Sequence, residues 1–231
     1  MPQAARRLLV LSPHLDDAVF SCGAMLAASP GATVCTVFAG TPDDALVTDW
    51  DLQCGFANAH EAMHARRAED AAALDVLAAR AVHLRFLDAQ YANSSTTKEI
   101  ASAIRDAIGA GDFDTLLIPL GLFHSDHSLT HAASLAAWRS VGSMACIAYE
   151  DCLYRRMKRL VQRRLAELSG DGIEATPLLD PIGADTLSRF EAKQRAVARY
   201  TSQLKAFGPH GYDDVRAPER FWTLHAADQD D

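Results

Sequence analysis

Residues 7–29, RLLVLSPHLDDAVFSCGAMLAAS, decide the fold. An apolar run, LLVL, stops near Pro13, the polar residues His14, Asp16 and Asp17 follow, and a helix-like apolar pattern then resumes. A continuous apolar run without polar alternation is typical of a strand that is covered on both faces of a parallel sheet. The stretch therefore predicts a buried strand followed by a helix, with three polar side chains at the junction.

The same alternation of strand and helix continues along the chain. Apolar segments rich in Val, Ile, Leu or Phe are separated by longer segments of helical periodicity, which predicts an α/β fold of the Rossmann-like, doubly wound type, with a mostly parallel sheet and helices on both faces. We expect residues 1–231 to form one domain. The predicted strands lie in 7–13, 32–40, 81–89, 114–121 and 145–152, and the predicted helices in 16–29, 60–81, 97–111 and 128–141.

The C-terminal third is less regular. Residues 154–170 and 185–208 have helical patterns, and residues 173–182 and 219–226 resemble short strands. Residues 41–56, TPDDALVTDWDLQCGF, show no clear period and predict a long loop, a feature that often covers a binding site.

Composition excludes several classes of protein. The hydrophobic fraction is 49% and the net charge is −8, so the chain can build a full core and gives no reason to expect nucleic acid or an acidic membrane as partner. The N-terminal apolar run is too short for a signal-peptide core, and no apolar stretch reaches the length of a membrane span. The five cysteines are scattered without a CxxC pair, which predicts reduced thiols and a cytoplasmic protein.

A second polar cluster follows the fourth predicted strand, in GLFHSDHSLTH at residues 121–131. Ligands of open α/β sheets bind outside the carboxyl ends of the strands, where the two clusters could meet. His14 and Asp17 are three residues apart across a strand-to-helix turn, and His127 could complete a set of two imidazoles and one carboxylate. That set is common at catalytic zinc, with one position left open for water.

Two neighbours of this set carry groups for proton chemistry. Asp16 would be a free carboxylate beside the metal, suited to take a proton from water, and His124 a second cationic or hydrogen-bonding group across the site. The alternative for either aspartate is a helix cap. A lone HxxxH pair such as His127 and His131 is a weak metal signal. The joint occurrence of both clusters after parallel strands favours the metal site.

The paired motifs PHLDD and HSDH resemble those of the PIG-L/LmbE-like superfamily of zinc-dependent N-deacetylases. The segments RRAED, FLDAQY, YEDCLY and KQRAVARYTSQLKAF resemble other parts of that family, so the resemblance covers nearly the whole chain. The resemblance implies zinc ligands at His14, Asp17 and His127. Further implied roles are a general base at Asp16, an oxyanion stabiliser at His124, a partner that orients His124 at Asp126, and a substrate contact at Arg66 or its neighbour Arg67.

The expected activity is therefore zinc-dependent removal of an N-acetyl group from an amino sugar or glycoconjugate, with release of acetate. Zn²⁺ is the expected cofactor, and other divalent transition metals can substitute for it. An amidase that acts on a larger acyl group or conjugate shares every motif, and a non-catalytic α/β binding module with a vestigial site is the remaining alternative. The sequence leaves the oligomeric state, the native metal and the individual substrate open.

Overall fold

The protein is described here by a computed structural model, in which residues 7–43, 46–92, 94–180, 182–183 and 185–226 are described. Seven strands form one sheet in the order β3-β2-β1-β4-β5-β7-β6. The first five strands pair in parallel, and β7 pairs antiparallel with both β5 and β6. This confirms the predicted Rossmann-like, mostly parallel sheet. The strands are β1 (Leu8–Ser12), β2 (Thr33–Thr36), β3 (Arg80–His83), β4 (Thr115–Pro119), β5 (Ala145–Tyr149), β6 (Ile173–Pro177) and β7 (Phe221–Ala226).

Helices cover both faces of the sheet. Successive side chains of a strand point to opposite faces, so Leu9 and Leu11 of β1 pack under α4, α5 and α6, whereas Leu8 and Val10 pack under α1, α3 and α7. Both faces of β1 are therefore buried, which explains its unbroken apolar run. The helices are α1 (Asp17–Ala27), α2 (Asp49–Cys54), α3 (Ala59–Val76), α4 (Thr97–Gly109), α5 (Ser125–Val141), α6 (Leu160–Gly170), α7 (Thr186–Val197) and α8 (Thr201–Phe207).

Helix α1 is bent, and a buried carboxylate accepts backbone N–H groups at the bend. Cys22 has non-helical angles (φ −142°, ψ 27°), and the N–H groups of Ala24 and Met25 donate to the carboxylate of Glu219, at 2.8 and 3.1 Å. Lys193 of α7 balances that carboxylate at 2.9 Å, with both side chains fully buried. A Cβ on Gly23 would meet the Lys193 side chain at 2.8 Å, so only glycine allows this approach.

Three segments differ from the sequence-based expectation. The predicted loop 41–56 contains the short helix α2. The predicted helix 154–170 begins only at Leu160, because residues 152–159 form turns and a bend. The predicted helix 185–208 is two helices, α7 and α8, which separate where buried Tyr200 donates a hydrogen bond to Asp70. In the part of the chain that the structure describes, every helix is too short or too polar to cross a bilayer.

Candidate active site

The turn after β1 directs His14 and Asp17 towards each other. Oδ2 of Asp17, the first residue of α1, accepts the backbone N–H of His14 at 2.9 Å and lies 3.0 Å from His14 Nδ1. Asp16 immediately precedes the helix, but its side chain makes no capping hydrogen bond. Helix capping therefore does not account for either carboxylate: that of Asp17 faces the histidine, and that of Asp16 lines a cavity.

His127 joins this pair from the neighbouring strand. It lies in the first turn of α5, which follows β4, and β4 pairs directly with β1. Its Nε2 is 3.1 Å from Asp17 Oδ2, and its Nδ1 is 2.6 Å from Oδ1 of Asp151. Asp151 follows β5, is fully buried, and accepts the N–H of Leu122 with its other oxygen at 3.0 Å. The His127 ring is thus held between two carboxylates.

Asp126 contacts two histidines, in a way that differs from the expected one. Its carboxylate lies 3.0 Å from His14 Nε2 and accepts the N–H of Ala89 at 2.9 Å. Only its backbone N–H reaches His124, donating to Nδ1 at 3.2 Å. The carboxylate therefore orients His14, and the backbone orients His124, because the first turn of α5 presents these two groups in different directions.

The donor atoms fit a divalent metal. His14, Asp17 and His127 each bring a ligand atom within 4.8 Å of the others. Tetrahedral zinc with bonds of about 2.0–2.2 Å requires ligand atoms about 3.3–3.5 Å apart. The separations of 3.0 and 3.1 Å between Asp17 Oδ2 and the two imidazoles are close to that requirement. Each imidazole also has a carboxylate on its far nitrogen, the arrangement that orients histidine ligands in metal sites.

A second donor set shares one histidine with the first. His14, His124 and Asp126 also lie close enough to hold an ion. In that set Asp126 would change from the partner of His14 to a ligand, and His124 Nδ1 already accepts a backbone N–H. The first set keeps a carboxylate partner for both histidines and is chemically the better site.

Proximity and burial shift the charges of this cluster. Burial and the charge of Asp17 raise the pKa of Asp16 to about 7. Burial alone would lower the pKa of His127, but the carboxylates of Asp17 and Asp151 raise it to about 9. Burial would raise the pKa of Asp17, yet His127 and His14 hold it well below its usual range. The pKa values of the two adjacent aspartates are therefore shifted in opposite directions, upwards for Asp16 and downwards for Asp17.

A cavity of about 370 Å³ opens beside these groups. Its lining includes His14, Asp16, Asp17 and His124 together with five aromatic side chains. A pocket of this kind, apolar with a few convergent polar groups, suits a small organic substrate. The aromatic lining residues are Phe20, Phe38, Trp50, Tyr154 and Phe207.

Arg66 lines the same cavity, although its guanidinium is largely engaged. Its Nη2 forms an ion pair of 2.9 Å with the fully buried Asp51 of α2, whose carboxylate also accepts the hydroxyl of Tyr91 at 2.8 Å. The neighbouring Arg67 donates instead to the carbonyl of Ala39. Of the two arginines, only Arg66 reaches the cavity, and it also holds α2 in place.

The segment expected to cover the substrate is a fixed part of the wall. Trp50 of α2 donates from its indole nitrogen to Gln203 of α8 at 3.2 Å, and its ring packs on Phe207 with centroids 5.3 Å apart. All three side chains line the cavity. The predicted proximity of this segment to the site agrees with the structure, whereas the predicted loop conformation was wrong for residues 49–54, which form α2.

A sequence model of the PIG-L family, described as GlcNAc-PI de-N-acetylase, matches residues 9–138, more than half of the 231 residues. The chain belongs to the PIG-L family. The predicted resemblance is thereby confirmed, and this PIG-L protein is a hydrolase of the N-deacetylase class. The matched region contains all six residues that the two motifs contribute to the cluster.

Solved structures agree with this membership. The crystal structure of the A40926 pseudoaglycone deacetylase Dbv21 is 28% identical, with a TM-score of 0.79 over 98% of this chain and 100% of that one. A triple mutant of a deacetylase of the teicoplanin biosynthetic pathway is 29% identical, with a TM-score of 0.80 over 97% and 100%. The zinc-inhibited form of teicoplanin deacetylase Orf2 is 25% identical, with a TM-score of 0.76 over 97% and 100%. A search of curated proteins found no match.

Sequence reasoning missed the role of one site residue. The segment YEDCLY belongs to the resemblance, but no contact with the metal ligands was predicted for its two carboxylates, Glu150 and Asp151. Glu150 contacts Trp222 at 3.2 Å and Arg220 at 3.7 Å, away from the cluster, whereas Asp151 contacts His127. The sequence did carry a signal for this contact. Asp151 directly follows β5, which pairs with β4, so its carboxylate lies beside the residues that follow β4.

Proposed function

We propose that this PIG-L protein hydrolyses the N-acetyl amide of an amino sugar, free or within a larger glycoconjugate, and releases acetate and the free amine. One observation carries the proposal: two imidazoles and a carboxylate converge beside a cavity, and each imidazole is backed by a second, buried carboxylate. Such a donor set belongs to catalytic metal sites rather than to structural ion pairs.

His14, Asp17 and His127 would hold the metal, which we propose to be zinc. When bound, a divalent metal at this set acidifies water and polarises the acetamide carbonyl. Two imidazoles and one carboxylate suit zinc, and other divalent transition metals can substitute because geometry more than identity selects the ion. Asp126 and Asp151 would hold the two imidazoles in the tautomers that leave the ligating nitrogens free.

Asp16 is the proposed general base. Its carboxylate lines the cavity beside Asp17 and is not engaged in a helix cap, so it is free to accept a proton from water and to return it to the departing nitrogen. His124 lies on the same wall. Because its Nδ1 accepts the N–H of Asp126, the neutral ring carries its proton on Nε2, where it can donate to the oxygen that gains negative charge.

Arg66 is the proposed substrate contact within the cavity. Its Nη1 donates to the hydroxyl of Tyr91 at 3.4 Å and its Nη2 is held by Asp51, so the guanidinium is fixed where the residue lines the cavity. A sugar hydroxyl or the acetamide oxygen that approaches this wall would accept a hydrogen bond from it.

The substrate class is supported by the relatives and by the cavity. The relatives include deacetylases whose names refer to A40926 pseudoaglycone and to teicoplanin. A cavity of about 370 Å³ is at the small end for ligand pockets, which suits an acetyl group on one sugar better than a long acyl chain. An amidase for a larger acyl group is the alternative. A cytoplasmic location remains our proposal, supported by five cysteines that are all unpaired.

Acetate release tests the proposal. Zinc-loaded protein would be incubated with a panel of N-acetyl amino sugars, their glycosides and N-acetyl amino acids, each compared with its N-hexanoyl analogue. We expect acetate and one free amine per amide cleaved, from the sugars and not from the amino acids. Preferential cleavage of the hexanoyl compounds would favour the amidase, and no cleavage of any amide by metal-loaded protein would reject the proposal.

A further inference from the structure

Phe123 occupies a strained turn directly before His124. Its φ is +64°, and the N–H of His124 donates to the carbonyl of Leu122 at 2.8 Å, which closes a γ-turn around Phe123. Positive φ is rare for a bulky residue, and this form of γ-turn is uncommon and strained. Such strain persists only where surrounding contacts enforce it, and it is concentrated at functional sites.

Neighbouring side chains enforce this turn from both sides. Arg164 of α6 donates to the carbonyl of Gly121 at 2.7 Å, and Asp151 accepts the N–H of Leu122 at 3.0 Å. Gly121 itself has a φ of +79°, and a Cβ there would meet His131 at 2.6 Å. The backbone is therefore fixed so that it directs the Phe123 side chain outwards.

The outward ring of Phe123 forms an aromatic pair at the cavity. The residue is 62% exposed, and its ring lies 5.3 Å from that of Tyr154. Tyr154 lines the cavity and packs edge-on against His127 at 5.1 Å. Met157, one turn later, is 42% exposed, and its N–H donates to the carbonyl of Tyr154. We define Phe123 and Tyr154 as the aromatic rim: Tyr154 lines the cavity, and Phe123, which is not itself a lining residue, packs on Tyr154 with much of its surface in solvent.

The chemistry changes between the interior of the cavity and this rim. The interior combines carboxylates and imidazoles with aromatic side chains, whereas the rim presents only aromatic faces, with an exposed methionine beside them. The cavity of about 370 Å³ is at the small end for ligand pockets, so a large group attached to the sugar would extend beyond it into solvent. Exposed apolar surface that continues a binding cavity indicates an apolar ligand group.

We propose that the aromatic rim determines specificity by binding an apolar group, a ring or an alkyl chain, attached to the N-acetylated sugar. The inference rests on the proposed deacetylation and deepens it: the substrate is an amphipathic glycoconjugate rather than a free amino sugar. The strain at Phe123 is maintained because it places the ring where the substituent emerges.

The test compares kcat/KM for the methyl, hexyl and phenyl glycosides of N-acetylglucosamine, in both anomers, with zinc-loaded protein. We expect the wild type to prefer the hexyl or phenyl glycoside to the methyl glycoside by about three- to tenfold, the usual worth of one aromatic contact. Hexyl and phenyl substituents distinguish an alkyl chain from a ring. Phe123→Gly removes the ring and suits the positive φ, and Phe123→Asn is a second variant that tolerates this conformation.

In both variants, kcat/KM for the hexyl and phenyl glycosides should fall to within about twofold of that for the methyl glycoside. Their kcat/KM for the methyl glycoside should stay within about threefold of the wild-type value, with the zinc content unchanged. Leu187→Ser is the matched control, since Leu187 is 82% exposed on α7 and lines no part of the cavity, and it should keep the full preference. Equal loss on all three glycosides would mean that Phe123 only positions His124, which overturns the inference. A wild type that cleaves all three glycosides equally would also overturn it, whereas cleavage of none would contradict the proposed function itself.

Discussion

Asp151→Asn should weaken metal binding without removing any ligand. Asp151 is fully buried, and its two oxygens accept from His127 Nδ1 at 2.6 Å and from the N–H of Leu122 at 3.0 Å. Asparagine has one oxygen and one NH2 group, so in either orientation one of these donors faces another donor. His127 would then lose the charged partner that fixes its ring with Nε2 towards Asp17.

The magnitude follows from two independent estimates. Loss of a carboxylate behind a ligating histidine typically costs 10- to 100-fold in metal affinity, or about 1.4–2.7 kcal/mol. Loss of a buried hydrogen bond to a charged group costs about 1.5–3 kcal/mol. The estimates agree, so we expect the dissociation constant for zinc to rise by about 10- to 100-fold, while excess zinc restores much of the activity.

Competition with a chromogenic chelator measures this change directly. Glu150→Gln is the matched control, because Glu150 is the adjacent buried carboxylate but contacts Trp222 and Arg220 instead of the cluster. The control should bind zinc like the wild type. Unchanged affinity in Asp151→Asn, or an equal loss in both variants, would refute the assignment of Asp151 as the partner of His127.

Three further predictions concern other parts of the molecule. Lys193→Met leaves the buried Glu219 without its cation and should lower the free energy of unfolding, measured in urea, by about 3–5 kcal/mol. The control Arg163→Ala, at an exposed ion pair with Glu167, should leave that free energy nearly unchanged. All five cysteines are buried and unpaired, and burial raises the pKa of Cys152 to about 12. Ellman's reagent should therefore label five thiols in denaturant and none rapidly in the native protein; a fast native thiol would contradict the packing. His124→Ala should keep the metal and lower kcat by about 100-fold with little change in KM, and loss of zinc instead would favour the second donor set.

The sequence predicted the sheet and the position of the cluster because both depend on local patterns. Strands covered on both faces are continuously apolar, and β1 to β5 all lie within or beside the predicted segments. The motif residues follow two strands that pair directly, so their side chains meet at one edge of the sheet. His14, Asp17 and His127 could be grouped on these grounds before the structure was known.

What the sequence did not predict depends on tertiary contacts. Helix α2 has six residues, too few to be stable alone, and it is held by the ion pair between Asp51 and Arg66. The break between α7 and α8 depends on two carboxylates of α3: Asp70 accepts the hydroxyl of Tyr200, and Glu69 accepts the N–H of Ser202 at 2.9 Å. The direction of Asp126 towards His14 depends on side-chain angles in the first turn of α5, and residue order alone carries no signal for them.

The adjacent aspartates give the most direct test of the site. Zinc content and acetate release would be measured together for Asp16→Asn and Asp17→Asn. We expect Asp16→Asn to hold about one zinc per chain and to lose about 100- to 10,000-fold in kcat, the usual range for a general base. Asp17→Asn should bind zinc more weakly and recover part of its activity when zinc is added. If Asp16→Asn loses zinc while Asp17→Asn retains it, the roles are reversed, and if both variants retain zinc and full activity, the account of the site is wrong.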